Sequence, residues 1–115
     1  MPRVRKTLAQ KCEAFGLGFF DVVAASHLRF DEVEVGTGAI LCDHTVITSN
    51  IRIGKHFHGN IYSYVEHDCV IGDHVILANY AAVSGHVHVG DYANFGVAFL
   101  SPSCCNFFTL NSTWP

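Results

Sequence analysis

The sequence predicts an all-β protein, a single-stranded parallel β-helix of hexapeptide repeats with a short helix at its N-terminal end. Three observations lead to this prediction: apolar residues recur every six positions, mostly small residues follow them, and a second period of 18 residues lies above the first. The chain has 115 residues, and 50% of them are hydrophobic. That length fits one domain with a substantial core.

The six-residue period runs without a slip, and only one of its steps is not a large apolar residue. The series is Val35, Leu41, Ile47, Ile53, Gly59, Val65, Ile71, Leu77, Val83, Val89 and Phe95. A second series, from Ala39 to Phe99, lies four residues further on, and strand alternation turns both series inward. An amphipathic helix would need spacings of three and four, so helical solenoids are excluded.

The longer period shows how many hexads make one turn of the solenoid. An apolar residue followed by glycine recurs every 18 residues, at Val35, Ile53, Ile71 and Val89. Three hexads therefore form a triangular coil, and successive coils stack at about 4.8 Å, the usual distance between strands. Like positions then form inward columns, and we expect this frame to end at Leu100.

We expect three segments along the chain. Residues 1–25 hold a helix from Arg3 to Phe15, ended by Gly16 and Gly18, and then a strand over residues 19–25. Residues 26–103 form the β-helix. Residues 104–115 form an apolar tail that leaves the hexad frame and covers an end or a neighbouring copy. The apolar residues of this tail are Phe107, Phe108, Leu110 and Trp114.

Composition and charge exclude several classes of protein. The net charge is −3 with neutral histidines, so no nucleic-acid partner is expected. No apolar stretch is long enough for a membrane span, and the basic N-terminus lacks the apolar core of a signal peptide. The five cysteines show no CxxC spacing, which predicts neither a disulfide framework nor a zinc site. We expect a cytoplasmic protein.

The repeat sorts most of the eight histidines onto the outside of the solenoid. His44, His56, His74 and His86 take the fourth hexad position, at a corner, and His58 and His88 take the outward sixth position. Most of these histidines are expected to be solvated.

His67 differs from them, because it is third in its hexad and is flanked by Glu66 and Asp68. One coil away, the neighbours of His67 are Ser49 and Gly85, and those of Asp68 are Asn50 and His86. A histidine beside a carboxylate can accept a proton near neutral pH. The residues alone favour the other interpretation, a surface histidine in an acidic turn.

The segment from Gly59 to Asp73 resembles a signature of the sugar O- and N-acyltransferases related to sialic acid O-acetyltransferase. That signature reads Asn, six residues, His, an acidic residue, Cys, Val, Ile, Gly, and the similarity extends from about Arg5 to Ser101. The resemblance implies a left-handed β-helix and a homotrimer. It also implies transfer of an acetyl group from acetyl-CoA, as co-substrate, to a hydroxyl or amine of a sugar or nucleotide sugar.

The resemblance also implies roles for individual residues in a direct transfer without an acyl-enzyme. His67 would be the general base, Asp68 would orient it, and Asn60 would reach the site of a neighbouring subunit. The Gly85 amide is a candidate donor to the oxyanion of the attacked thioester, although a small residue required at a corner explains this glycine equally well.

The acyl-CoA site is implied in the same way. The pantetheine arm of CoA would lie between two subunits and contact Gly96 and Val97. In this family a nucleotide-sugar domain usually precedes the β-helix, and further coils usually follow it. The predicted helix from Arg3 to Phe15 resembles the last helix of that domain.

Two other functions compete with the transferase. One is a non-catalytic trimeric β-helix scaffold, or a truncated and inactive transferase homologue. The other is a γ-type carbonic anhydrase, in which three histidines bind zinc and two of them are five residues apart. No two histidines in this sequence have that separation, so no metal cofactor is expected.

Overall fold

The chain folds as one helix followed by short strands, and its structure, a computed structural model, describes residues 2–107. The elements are α1 (Pro2–Ala14), β1 (Val22–Val23), β2 (Leu28–Arg29), β3 (Val33–Val35), β4 (Ile40–Leu41), β5 (Val46–Ile47), β6 (Ile51–Ile53), β7 (His58–Gly59), β8 (Tyr64–Val65), β9 (Val70–Ile71), β10 (Ile76–Leu77), β11 (Ala82–Val83), β12 (His88–Val89), β13 (Asn94–Phe95) and β14 (Asn106–Phe107). The fold is a left-handed parallel β-helix, which confirms the predicted fold class.

The strands form three parallel sheets, one for each face of the triangular solenoid. Their orders are β1-β4-β7-β10-β13, β2-β5-β8-β11 and β3-β6-β9-β12-β14. Paired residues lie 18 apart, so Val35 pairs with Ile53, Ile53 with Ile71, and Ile71 with Val89. The predicted coil of three hexads and its inward column are confirmed.

The core consists of the two predicted inward series. Apart from Gly59, the first-position residues from Leu41 to Phe95 are at most 7% exposed, and the fifth-position residues from Ala39 to Ala93 are at most 8% exposed. Removing this apolar surface from water stabilises the stacked coils by roughly 25 cal/mol for each Å² buried. The stacking of the coils therefore defines the fold and also buries the apolar surface that stabilises it.

Gly59, the one small residue in the first-position series, packs against a large neighbour. A Cβ on Gly59 would lie 3.2 Å from Cε2 of Phe57 and 3.2 Å from Oγ of Ser63. The Phe57 ring, which is 1% exposed, fills the space that an apolar side chain takes in other coils. Phe99 departs from the prediction, because it is 40% exposed, with its ring centroid 5.2 Å from that of Phe95.

The corners have one recurring backbone conformation. Every fourth-position residue from Glu32 to Cys104 has a positive φ, which is 57–68° at the non-glycine residues and 83° at Gly38. Few residues adopt this conformation readily, and asparagine, aspartate and histidine are among those enriched in it. His44 and His86 therefore lie at corners, as predicted, and their side chains are presented on the outside of the solenoid.

The solenoid continues beyond the predicted end of the frame. The pairing of β14 with β12 brings Asn106 opposite His88, and Ser101 takes the inward first position at 1% exposure. The predicted break in the hexad frame after Leu100 is therefore wrong for residues 101–107. A search for apolar residues misses this hexad, because its first residue is a serine. Ser101 is accommodated in the core by a hydrogen bond, in which the Ser84 amide donates to its Oγ at 2.8 Å.

The predicted tail residues Phe108, Leu110 and Trp114 lie outside the described residues. The predicted division of the chain into three segments otherwise stays a prediction.

The N-terminal helix ends one residue before the predicted Phe15. Gly16 has φ 75°, the Gly16 amide donates to the Glu13 carbonyl at 2.9 Å, and the Leu17 amide donates to the Cys12 carbonyl at 3.0 Å. These bonds satisfy carbonyls at the helix end and use the conformational freedom of glycine. The strand expected over residues 19–25 is limited to β1.

The helix packs on one corner of the solenoid through a small residue. Ala9 is 7% exposed, whereas Leu8 and Phe15, whose spacing predicted the helix, are 55% and 82% exposed. The Lys6 ammonium lies over the Tyr92 ring, 5.0 Å from its centroid. Within residues 2–107, no helix has the length and apolar character needed to cross a membrane.

Candidate active site

Residues from three successive coils meet at the corner that follows β5, β8 and β11. The backbone sets their spacing: the Asp68 amide donates to the Ser49 carbonyl at 3.0 Å, and the His86 amide donates to the His67 carbonyl at 3.0 Å. The stacked neighbours predicted for His67 and Asp68 are therefore confirmed. We call this set the His67 corner, and it consists of Asn50, His67, Asp68, Gly85 and His86.

Asp68 is held on both sides. Asn50 Nδ2 donates to Asp68 Oδ1 at 2.6 Å, and Asp68 Oδ2 lies 2.8 Å from His67 Nδ1. The hydrogen bond from Asn50, followed by that from His67, lowers the pKa of the Asp68 carboxyl below its ordinary value. An ionised carboxylate at this distance favours the proton on Nδ1 of His67, which leaves the lone pair of Nε2 free.

The imidazole of His67 lies directly against Gly85. A Cβ on Gly85 would be 2.7 Å from both Cε1 and Nε2 of His67. The backbone of Gly85 does not have a positive φ. Glycine is therefore required here by the close approach of His67, and not by the conformation of the turn. The free nitrogen of His67 therefore lies close to the Gly85 backbone.

His86 is exposed at its corner, as expected, and it also approaches the same carboxylate. Its Nε2 lies 3.6 Å from Asp68 Oδ2, and its ring meets the His67 ring edge-on, with centroids 5.2 Å apart. The sequence contained the signal for this contact, because residue 86 is 18 positions after residue 68. One ligand atom from each of His67, Asp68 and His86 lies within 4.8 Å of the others.

The other three predicted site residues lie at a different corner. Asn60 follows β7, and its Nδ2 donates to the Leu77 carbonyl at 3.0 Å. Gly96 and Val97 follow β13, which lies in the same sheet as β7, and Val97 is 72% exposed. One chain therefore brings Asn60, Gly96 and Val97 to a common corner, but it does not bring them to His67.

A third corner carries histidines that are not solvated. His56 and His74 are 7% and 8% exposed, and they stack with Tyr92 beneath the N-terminal helix, with centroids 4.9 and 5.7 Å apart. The ring of Phe19 meets His56 edge-on at 4.6 Å. We call His56, His74 and Tyr92 the covered corner. The prediction that these histidines are solvated is wrong, because the helix covers them.

Burial changes the chemistry of the covered corner. It lowers the pKa of His56, and the nearby Arg5 guanidinium lowers it further. Burial also lowers the pKa of His74, with a further contribution from His56. Both shifts favour the neutral imidazole, and His74 Nδ1 is buried without a hydrogen-bond partner in the described part of the chain.

A groove of about 490 Å³ lies along the face formed by β3, β6 and β9 and opens beside the His67 corner. Asn50 and Asp68 line its end near the corner, and Ile51 and Val70 line its apolar side. His67, Gly85 and His86 do not line this groove, which touches the corner through Asn50 and Asp68.

No protein family model matches the chain, but known proteins are similar to it in sequence and fold. GDP-perosamine N-acetyltransferase from Escherichia coli O157:H7 is 35% identical over 94 residues, which are 82% of this chain and 42% of that protein.

Two solved structures extend the comparison. WeeI from Acinetobacter baumannii AYE is 37% identical with a TM-score of 0.73, over 95% of this chain and 57% of that one. PerB from Caulobacter crescentus, in complex with CoA and GDP-perosamine, is 25% identical with a TM-score of 0.91, over 94% of this chain and 52% of that one. The chain spans about half the length of these relatives. By its repeat, its fold and these homologues, the chain belongs to the hexapeptide-repeat sugar acyltransferases.

Proposed function

We propose that this chain is the catalytic β-helix of an acetyltransferase that moves the acetyl group of acetyl-CoA to a hydroxyl or amine of a nucleotide sugar. One observation carries the proposal: His67 is bonded through Nδ1 to the ionised Asp68 and presents its free nitrogen against Gly85. The residues that we propose as general base, orienting group and backbone donor thus lie together on one corner.

His67 would act as the general base. Its Nε2 takes the proton from the acceptor oxygen or nitrogen as that atom forms a bond to the thioester carbonyl carbon. The carbon–sulfur bond then breaks, CoA leaves as the thiolate, and the imidazolium can return the proton to it. Asp68 stabilises the imidazolium and holds the ring. No covalent enzyme intermediate is required, because the two substrates react directly.

The Gly85 amide would stabilise the oxyanion that forms on the carbonyl oxygen. Lys55 and Asp73 hold the same hexad position as Gly85, and their amides donate to the carboxylates of Asp73 and Asp91 at 2.8 and 2.7 Å. The amide at this position can therefore reach an anionic oxygen outside the corner. A backbone donor fixed in this way stabilises charge as it develops, without reorganisation.

The donor would be an acyl-CoA, and the acceptor would be a nucleotide sugar. PerB, a homologous β-helix protein, was solved with CoA and GDP-perosamine together, and GDP-perosamine N-acetyltransferase is named for transfer to an amine of such a sugar. In this chain, Gly96 and Val97 would contact the pantetheine arm. Both residues lie on an open corner, since a Cβ on Gly96 would meet nothing within 4 Å.

The complete site would require a second copy of the chain. Asn60 and His67 lie at different corners of one chain, so Asn60 can serve the reaction only beside the His67 of a neighbour. A closed ring of three copies would place the Asn60 corner of each subunit against the His67 corner of the next. We therefore propose a homotrimer with three shared sites.

The transferase activity can be tested with acetyl-CoA and a panel of nucleotide amino sugars, GDP-perosamine first, by following the gain of one acetyl group by mass spectrometry. His67→Ala should lower the rate by about 10²–10⁴-fold, the range for loss of a general base. His88→Ala is the matched control, because His88 is an exposed histidine of the next coil. Equal activity in wild type and His67→Ala, or no turnover with any acceptor, would favour the scaffold function instead.

The shared site can be tested by mixing two defective chains. His67→Ala and Asn60→Ala trimers should each be weak, and trimers reassembled from a mixture should regain activity, because some interfaces then combine an intact His67 with an intact Asn60. Light scattering should give the mass of three chains. A mixture no more active than the average of its parts would contradict the shared site.

A further inference from the structure

The Asp68 carboxylate lies between two imidazoles. Its Oδ2 is 2.8 Å from His67 Nδ1 and 3.6 Å from His86 Nε2. Asn50 binds the other oxygen, Oδ1, at 2.6 Å and so directs Oδ2 toward the two rings. The proposed mechanism uses His67 and Asp68 but gives no role to His86.

These three side chains form a compact set of metal ligands. One donor atom of each lies within 4.8 Å of the others, and the side chains of His67 and His86 are 54% and 60% exposed. Zn²⁺ is bound by imidazole nitrogen at about 2.0–2.1 Å and by carboxylate oxygen at about 2.0–2.2 Å. Three such ligands with the fourth side open to solvent are typical of an accessible zinc site.

The scaffold that holds the ligands is rigid. His67 and Asp68 are adjacent in one coil, and His86 lies in the next coil, where its amide donates to the His67 carbonyl at 3.0 Å. Coil stacking thus fixes the spacing of the three backbones before any ion binds. Small side-chain rotations are then sufficient to close the donors around an ion.

From this arrangement we infer that His67, Asp68 and His86 bind Zn²⁺ and that the bound ion switches off the acetyl transfer proposed above. The ion takes Nδ1 of His67, Oδ2 of Asp68 and one nitrogen of His86. With zinc on Nδ1, the ring proton resides on Nε2, which then has no lone pair for the acceptor proton. The inhibition rests on the proposed function, whereas the metal site does not.

Calorimetric titration with Zn²⁺ tests the site without any measurement of activity. All chains carry Cys104→Ser, which removes the most exposed thiol as a competing zinc ligand. Wild type should bind one ion per chain, and His86→Asn should weaken binding by at least about tenfold. His44→Asn is the matched control, because it changes an exposed histidine at the same hexad position and with the same positive φ, on a different corner.

The results separate the site from the switch. Unchanged affinity in His86→Asn, or equal losses in His86→Asn and His44→Asn, would overturn the site and show adventitious binding. With Co²⁺ in place of Zn²⁺, the visible absorption bands should be those of nitrogen and oxygen ligands. A thiolate-to-cobalt charge-transfer band would instead show that a cysteine binds the ion, and it would count against the site. These readouts hold even if no acetyl transfer is found.

The switch is tested by zinc inhibition of acetyl transfer. In wild type the half-inhibiting concentration should match the Kd, and a chelator should restore the rate. In His86→Asn the half-inhibiting concentration should rise by the same factor as the Kd. Full activity at saturating zinc would overturn the switch.

Discussion

Two corners of the same solenoid carry histidine at the same position of the repeat, yet the two corners differ in almost every chemical property. His74, in the covered corner, and His86, in the His67 corner, have φ values of 59° and 57°. His74 is 8% exposed beneath the N-terminal helix, whereas the side chain of His86 is 60% exposed beside a carboxylate. The repeat sets the backbone, and the neighbours outside the repeat set the chemistry.

The electrostatic consequences of the two environments are opposite. Burial lowers the pKa of His56 and His74, so the covered corner favours neutral groups. Hydrogen bonds from Asn50 and His67 lower the pKa of the Asp68 carboxyl, so the His67 corner keeps an anion. A charged intermediate is stabilised at the second corner and is disfavoured at the first.

After the loss of His67 itself, the largest effect is expected from Gly85→Ala. The new Cβ would lie 2.7 Å from the His67 ring, which must then move away from the Gly85 amide. The turnover rate should fall by about 10²-fold, because displacing a catalytic group by about 1 Å can cost this much. Gly18→Ala is the control, since a Cβ there would meet nothing within 4 Å. A turnover rate within a factor of two or so of the control would show that the His67 corner does not need this close approach.

At the covered corner, a glycine supports stacking and not chemistry. A Cβ on Gly54 would lie 2.8 Å from the Gly72 carbonyl carbon and 2.9 Å from the Asp73 amide nitrogen, and backbone atoms cannot give way cheaply. Gly54→Ala should lower the free energy of unfolding in urea by about 1–3 kcal/mol. The folded fraction should keep its specific activity. A selective loss of activity without loss of stability would contradict the division between the corners.

The covered corner should contribute to the pH dependence of stability, together with His27 and His58, whose pKa values burial also lowers. Because the pKa values of His56 and His74 are lowered in the folded chain, the unfolded chain binds more protons as the pH falls. This contribution to stability should be complete above the ordinary histidine pKa of about 6.5 and should be lost as the pH falls below it. Thermal melts between pH 8 and 5 should show a smaller loss in His56→Asn/His74→Asn than in wild type. An unchanged loss would place the titrating groups elsewhere.

The smallest effect is expected from Asn50→Gly, which keeps the positive φ of 57° and removes the amide that binds Asp68. The pKa of the Asp68 carboxyl should rise toward its ordinary value, and carbon NMR of the carboxyl group would measure this. Glu32→Gly, one coil earlier in the same column and with the same φ, is the control. An unmoved Asp68 titration would show that Asn50 does not hold this anion.

The repeat made the solenoid and the neighbours of His67 predictable, because an 18-residue offset places residue 85 beside residue 67 whatever else the chain does. The same offset indicated the contact between Asp68 and His86. Solvation of the corner histidines was predicted wrongly for His56 and His74. Their cover comes from a helix whose docking depends on Ala9 and on Lys6 over Tyr92, and no periodicity encodes these contacts.

Two features inside the solenoid could not be predicted from the pattern of apolar residues in the sequence. Ser101 is buried at an inward position because the Ser84 amide and the Ser84 hydroxyl, which donates to the Ser101 carbonyl at 2.6 Å, satisfy it. Gly59 is compensated by the neighbouring Phe57 ring. Both depend on which side chains meet across the core, and the hexad pattern specifies only which positions face it.

The most direct test of the central claim is the same substitution at both corners, His67→Asn and His74→Asn, with turnover and stability measured on each protein. Asparagine tolerates the positive φ of residue 74, so the substitution changes the side chain without straining the backbone. We predict that His67→Asn loses acetyl transfer by about 10²–10⁴-fold with its melting temperature retained. His74→Asn should instead lose about 1–3 kcal/mol of stability and keep its turnover rate. Turnover lost from His74→Asn and kept by His67→Asn would contradict the assignment of the reaction to the His67 corner.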